Sequence, residues 1–184
     1  MLIHTYICDE NTGYIAKPTF KDPEHEFMLK EVNLPILVYE RDHMDDFLKY
    51  LKEAKPAVET VLFSRAESTY VDKLMNIIDP ERKVFDHVLT QNACYRLLKD
   101  DDDIDHFLKD VGRFKNRNLA RSVLADTDIL SFSMAPANGM PISGYKGENF
   151  GDPSEKDGYL LSVIDEIEEL RKMQDVRTYL DQQY

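Results

Sequence analysis

The apolar run at 34–39 (LPILVY) is interrupted only by Pro35 and predicts a strand. Met44, Phe47, Leu48 and Leu51 then recur at i, i+3, i+4 and i+7, the spacing of one helix face. Asp42 is placed to cap that helix and Pro56 to stop it. Residues 58–64 (VETVLFS) are β-branched and apolar, which predicts a buried strand. Ser64 and Glu67 match the S-x-x-E capping box of a second helix. That helix carries Tyr70, Val71, Leu74, Met75, Ile77 and Ile78 and stops at Asp79-Pro80. Residues 84–89 read as a short strand and 122–126 as a further buried one. Asp152-Pro153-Ser154-Glu155 has the form of a helix start, with Asp at the cap and Pro in the first turn. Leu160, Leu161, Ile164, Ile167 and Leu170 supply the buried face of that helix, and a last short helix is expected over 176–180.

Strands and helices alternate along this pattern. The alternation predicts an α/β, Rossmann-like fold, a parallel sheet with helices on both faces. No internal repeat or long linker divides it, so residues 1–184 are expected to form one domain. Its first 33 residues are polar and irregular. Turn formers recur there at residues 9–13, at Lys17-Pro18 and at Asp22-Pro23, which fits short strands around a hairpin.

Composition changes this picture little. At 42% hydrophobic and 32% charged, the chain has the balance of a globular domain, with no apolar run of the length, about 20 residues, that a membrane-spanning helix needs. No secretory signal pattern opens it. The net charge of −12 repels phosphate backbones and argues against nucleic acid as a partner. A local exception is 109–121, with Lys109, Arg113, Lys115, Arg117 and Arg121 against Asp110. It reads as a solvated face, with an anionic partner surface as the alternative. The acidic run Asp100 to Asp103 reads as a solvated turn, since four consecutive carboxylates cannot converge on one ion. Cys8 and Cys94 form no paired motif and are expected as buried fillers. The five histidines lack metal-ligand spacing, so neither a metal nor a cofactor is expected.

In a doubly wound sheet the chemistry sits at the carboxyl ends of the strands. Ser64 ends one strand, Asp126 ends another, and Lys109 lies on the segment between. A hydroxyl beside a helix N-terminus can hold a phosphate, a lysine offsets its charge, and an acid helps to place a magnesium ion. Each residue also has a plain structural role: helix cap, salt-bridge partner, strand-end acid.

These positions carry a resemblance. Leu2-Ile3-His4-Thr5 looks like the tail of a D-L-D-E-T-L-V/I-H segment. Arg41-Asp42-His43 with Asp46-Phe47-Leu48 resembles R-P-x-x-x-x-F-L, with Asp42 where proline is usual. Val61-Leu62-Phe63-Ser64 matches a V-L-F-T/S strand, Lys109-Asp110-Val111 a K-D-L segment, and Asp126-Thr127-Asp128 a D-N or D-T strand end. Together they resemble the C-terminal-domain phosphatases of the haloacid dehalogenase superfamily, the NLI-interacting-factor-like group. Within it, residues 61–80, the stretch Pro136 to Pro141 leading to Gly147-Glu148, and Gln174 to Arg177 with Leu180 are similar to the presequence-receptor subunits of the mitochondrial inner-membrane translocase.

The departure from the pattern sets the expected function. The group's nucleophile and general acid are the two aspartates of D-x-D-x-T, a motif that occurs nowhere in the 184 residues. The resemblance implies that Met1 stands just past it, so that the fold is N-terminally truncated and lacks most of its first strand. Thr127 also stands where active members place a magnesium-binding asparagine. Ser64, Lys109, Asp126 and Thr127 are then a vestigial pocket with no catalytic residue. The expected protein is a non-catalytic, protein-binding subunit of a mitochondrial inner-membrane assembly, an import translocase or a respiratory-type complex. It would meet the membrane only through its protein partners. The alternative is a protein serine/threonine phosphatase whose catalytic N-terminus lies outside this sequence; a small-molecule module reusing the phosphate pocket is a third reading.

Overall fold

The computed structural model describes residues 3–7, 22–29, 34–97, 106–145 and 157–184. Its strands and helices run β1 (Ile3–Ile7), β2 (His25–Leu29), β3 (Leu34–Glu40), α1 (Met44–Glu53), β4 (Val61–Phe63), α2 (Ser68–Ile78), β5 (His87–Leu89), β6 (Tyr95–Leu97), β7 (His106–Leu108), β8 (Leu124–Asp126), β9 (Gly139–Pro141), α3 (Tyr159–Lys172) and α4 (Val176–Gln183). The expected helix start at 152–155, the acidic run at 100–103 and Cys8 lie outside the described residues.

The apolar run at 34–39 becomes the middle strand of an antiparallel sheet ordered β1-β3-β2. Both faces of β3 are covered. Ile36 and Val38 pack with Leu74 of α2, while Leu37 and Tyr39 pack with Tyr145. Pro35, which has no N–H to give, lies beyond the residues that β1 pairs with. Short strands around 1–33 are thus present as β1 and β2.

The helix faces follow their periodicity. Met44, Phe47, Leu48 and Leu51 of α1 and Val71, Leu74, Met75 and Ile78 of α2 are buried. All but Leu74, which packs on β3, share a core with Val163 and Leu170 of α3 and Val176 and Leu180 of α4. The caps differ from expectation. His43, in the left-handed region at φ 62°, precedes α1, and Asp42 instead accepts a hydrogen bond from the Asp157 N–H at 2.9 Å. The capping box does not form either. α2 begins at Ser68 behind Glu67, without a side-chain cap, and the Ser64 hydroxyl accepts from the Ala66 N–H at 3.1 Å. On α3, Leu160 is buried while Leu161 is 39% exposed, because neighbouring helical positions point about 100° apart. Val163 takes the place expected of Leu161.

Two buried polar side chains fasten loops to this frame. The Asp79 carboxylate, at the end of α2, accepts from the N–H groups of Lys83, Val84 and Phe85 at 2.8, 3.0 and 3.1 Å. Arg41 pairs with Asp157 at 2.6 Å and donates to the Ser143 carbonyl at 2.8 Å. Its guanidinium also lies 4.4 Å from the Tyr159 ring centre, a cation–π contact.

The parallel pairing that the alternation predicts is present, but in two separate pairs, β4–β5 and β8–β9. The residues of β4 are half-buried, and in β8 only Leu124 is buried. Both strands were expected to be buried. The difference has a physical reason: no described strand lies between β4 and β8 to cover their facing edges.

Candidate functional site

The carboxyl ends of β4 and β8 and the segment after β7 meet at one crevice. Lys109, directly after β7, is buried, and its Nζ donates to Asp126 Oδ2 at 2.6 Å. The ammonium also lies 5.7 Å from the ring centre of Phe63, the residue before Ser64. Across the crevice mouth, Arg65 Nη1 donates to Asp128 Oδ2 at 2.5 Å. Lys109 and Asp126 are thus bonded, and Ser64 stands next to Phe63, whose ring Lys109 approaches; the sequence places Lys109 only on the segment between the two strands. Thr127 is at the same strand end but faces solvent.

The charges of the crevice are already balanced. Burial raises the Asp126 carboxyl, but the hydrogen bond and charge of Lys109, joined by the Asp128 N–H and Ser131, outweigh it and hold the pKa below the ordinary aspartate range. Asp126 Oδ1 accepts the Asp128 N–H at 3.0 Å. One oxygen therefore serves the lysine and the other the backbone.

Cys94 is part of this site, which its isolated place in the sequence does not signal. It is half-buried rather than fully buried, and its thiol donates to the Ser64 carbonyl at 3.8 Å. Burial pushes the thiol pKa up, against the weaker pull of Lys109 and Arg65, so the neutral thiol is favoured.

A magnesium ion, which the resemblance implies for active members, does not fit this donor set. Both Asp126 oxygens are engaged, Asp128 is held by Arg65, and Thr127 points outward. Among the described residues no three His, Cys, Asp or Glu side chains cluster as metal ligands. Nor is 109–121 one basic surface. Lys109 is buried, Arg117 pairs with Glu59, Arg121 donates to the Met173 carbonyl, and Arg113 and Lys115 are exposed. The acidity shows elsewhere, in a groove of about 450 Å³ between α3 and α4 lined by Asp165, Glu166, Glu168 and Glu169.

A hydroxyl and an aspartate at the ends of two parallel-paired strands, with a buried lysine from a neighbouring strand end on the aspartate, define the class: an α/β protein built on the haloacid dehalogenase plan. Residues 2–177 match the model of the NLI interacting factor-like phosphatases, and the chain belongs to that family. CTD small phosphatase-like protein 2 of Dictyostelium discoideum is 29% identical over 135 residues, covering 73% of this chain and 21% of that protein. The mitochondrial import inner membrane translocase subunit TIM50 of Candida albicans is 31% identical over 143 residues, covering 77% and 27%. The structure of the fission yeast RNA polymerase II CTD phosphatase Fcp1 bound to beryllium fluoride superposes with a TM-score of 0.55 at 15% identity, over 94% of this chain and 50% of that one. The chain spans less than half the length of both of these curated relatives.

Proposed function

We propose that this chain is a non-catalytic member of its family, a protein-docking subunit of a mitochondrial inner-membrane assembly. The observation that carries the reading is the closed charge balance of the crevice. Lys109 is consumed by Asp126 and Arg65 by Asp128, which leaves neither of these two cations free to receive a phosphoryl group. The similarity to the TIM50 subunits of Candida albicans and Kluyveromyces lactis supports the import translocase as the kind of assembly. A net charge of −12 suits basic segments of partner proteins and disfavours nucleic acid. On this reading the membrane is met through those partners.

A second reading, a protein phosphatase completed by residues outside this sequence, is favoured by the similarity to CTD small phosphatase-like protein 2 and to the phosphatase PSR1 of Saccharomyces cerevisiae. Turnover separates the two. The protein purified from its native source, with or without magnesium, should release no phosphate from p-nitrophenyl phosphate or a phosphoserine peptide. Turnover that disappears in Asp126→Asn would overturn the docking reading.

A further inference from the structure

Arg65 ties the end of β4 to the end of β8, and the tie is a weak one. Its Nη1 donates to Asp128 Oδ2 at 2.5 Å, but the other Asp128 oxygen already accepts the Leu130 N–H at 3.0 Å. The guanidinium fork therefore meets one carboxylate oxygen, where a bidentate pair would use two. The Arg65 and Asp128 side chains are 40% and 29% exposed, so water screens the pair. A multiply charged anion with several oxygens, placed nearer in the chain, competes well for such a guanidinium.

Ser68 is placed to carry one. It is exposed, it opens α2, and its hydroxyl bonds no described residue. Arg65 stands three positions ahead, and the chain bends at Arg65 and Ala66. Three residues span at most about 10 Å even when extended, within the combined reach of an Arg side chain and a phosphorylated serine. The neighbouring hydroxyls are not equivalent to it. Ser64 is half-buried and accepts the Ala66 N–H at 3.1 Å, and Thr69 is one residue further from Arg65. Arginine three residues before a serine is also the charge pattern by which basophilic protein kinases select a substrate. Glu67, beside Ser68, is exposed, so its repulsion acts through solvent and is weaker than direct contact with Arg65.

We propose that Ser68 is a phosphorylation site and that its phosphate draws Arg65 off Asp128. In the transfer, the bond from the γ-phosphorus of ATP to the bridging oxygen breaks and a bond to Ser68 Oγ forms. The hydroxyl proton passes to the base of the kinase, and ADP leaves. The product carries about −1.5 to −2 charges and three acceptor oxygens, which the Arg65 fork can meet with two parallel bonds. Asp128 keeps only the Leu130 N–H, and the mouth of the crevice loses its tie. The mouth then has two settings, closed by Arg65 and Asp128 in the unmodified chain and open in the phosphorylated one. Neither setting depends on whether the chain is catalytic.

The test has two arms. Protein isolated from its native source with phosphatase inhibitors present should carry phosphate on Ser68 by tandem mass spectrometry. The recombinant chain, treated with magnesium ATP and the catalytic subunit of cyclic-AMP-dependent protein kinase, should gain a phosphate there at least about tenfold faster than Arg65→Gln does. Ser68→Ala should not gain it and should keep the melting temperature, so that a lost phosphate is not a lost fold. In the 15N-labelled chain, Asp128→Asn should shift the Arg65 Nε–H resonance before phosphorylation and leave it in place afterwards. Native protein without phosphate on Ser68 overturns the site. A phosphorylated chain whose Arg65 resonance still responds to Asp128→Asn has kept the old pair and overturns the switch. A chain that fails either arm yet lacks phosphatase turnover keeps the docking reading.

Discussion

Lys109 and Asp126 are buried counter-charges, so neither can be removed alone without cost. Lys109→Met should leave an uncompensated carboxylate and destabilise the fold by about 3–5 kcal/mol, much of which Lys109→Met with Asp126→Leu should restore. Urea unfolding of the single and double variants measures the difference. The same pair sets an acid limit. The folded pKa of Asp126 lies below the ordinary aspartate value of about 3.9, so its stabilisation is complete above that value and is lost as pH falls through the lower folded pKa. Urea midpoints should therefore drop below about pH 4, and Asp126→Asn should flatten part of that drop. Ser64 and Asp126 were legible as strand ends because a strand end shows where an apolar run stops, whereas the strand β7 that places Lys109 was not read. The ion pairing of Arg65 with Asp128 was not, because it spans 63 positions.

At the scale of elements, helix faces decide the outcome of substitution. Leu160→Ala should cost about 2–5 kcal/mol, whereas Leu161→Ala, one residue on, should stay within about 0.5 kcal/mol. Thermal melts of the two variants distinguish the observed face from the expected one, which included Leu161. Asp79→Ala should cost about 3 kcal/mol, since three backbone N–H groups lose a charged acceptor. A melt should show it, and Asp79→Asn should recover only part. Asp79-Pro80 marks a helix stop in sequence, but its carboxylate also closes the following loop. β9 shows a different constraint. A Cβ at Gly139 would stand 2.6 Å from Phe132, so Gly139→Ala forces that ring to move.

For the whole molecule, the prediction concerns association. With strands β4 and β8 each paired on one edge only among the described residues, and Ile129, Leu130 and Met134 exposed, the chain has more to cover than to leave bare. Native extract should release it in a particle larger than one chain, and the recombinant chain alone should self-associate. Size-exclusion chromatography with light scattering reads both. A well-behaved monomer in both samples removes the physical basis of the docking reading.

The sequence alone determined the elements whose signal is local. The buried faces of α1 and α2 follow from 3.6-residue periodicity, and the parallel pairing of β4 with β5 follows from the alternation of apolar runs with helices, whereas β9 and its pairing with β8 were not legible. Only the tertiary structure decided which caps form, how the charges pair and where the sheet divides. Asp42 leaves its expected cap for an amide 115 positions away, and Cys94 reaches Ser64 across 30. A hydrogen bond or ion pair depends on which groups the fold brings within about 3 Å, and periodicity carries no information about that distance.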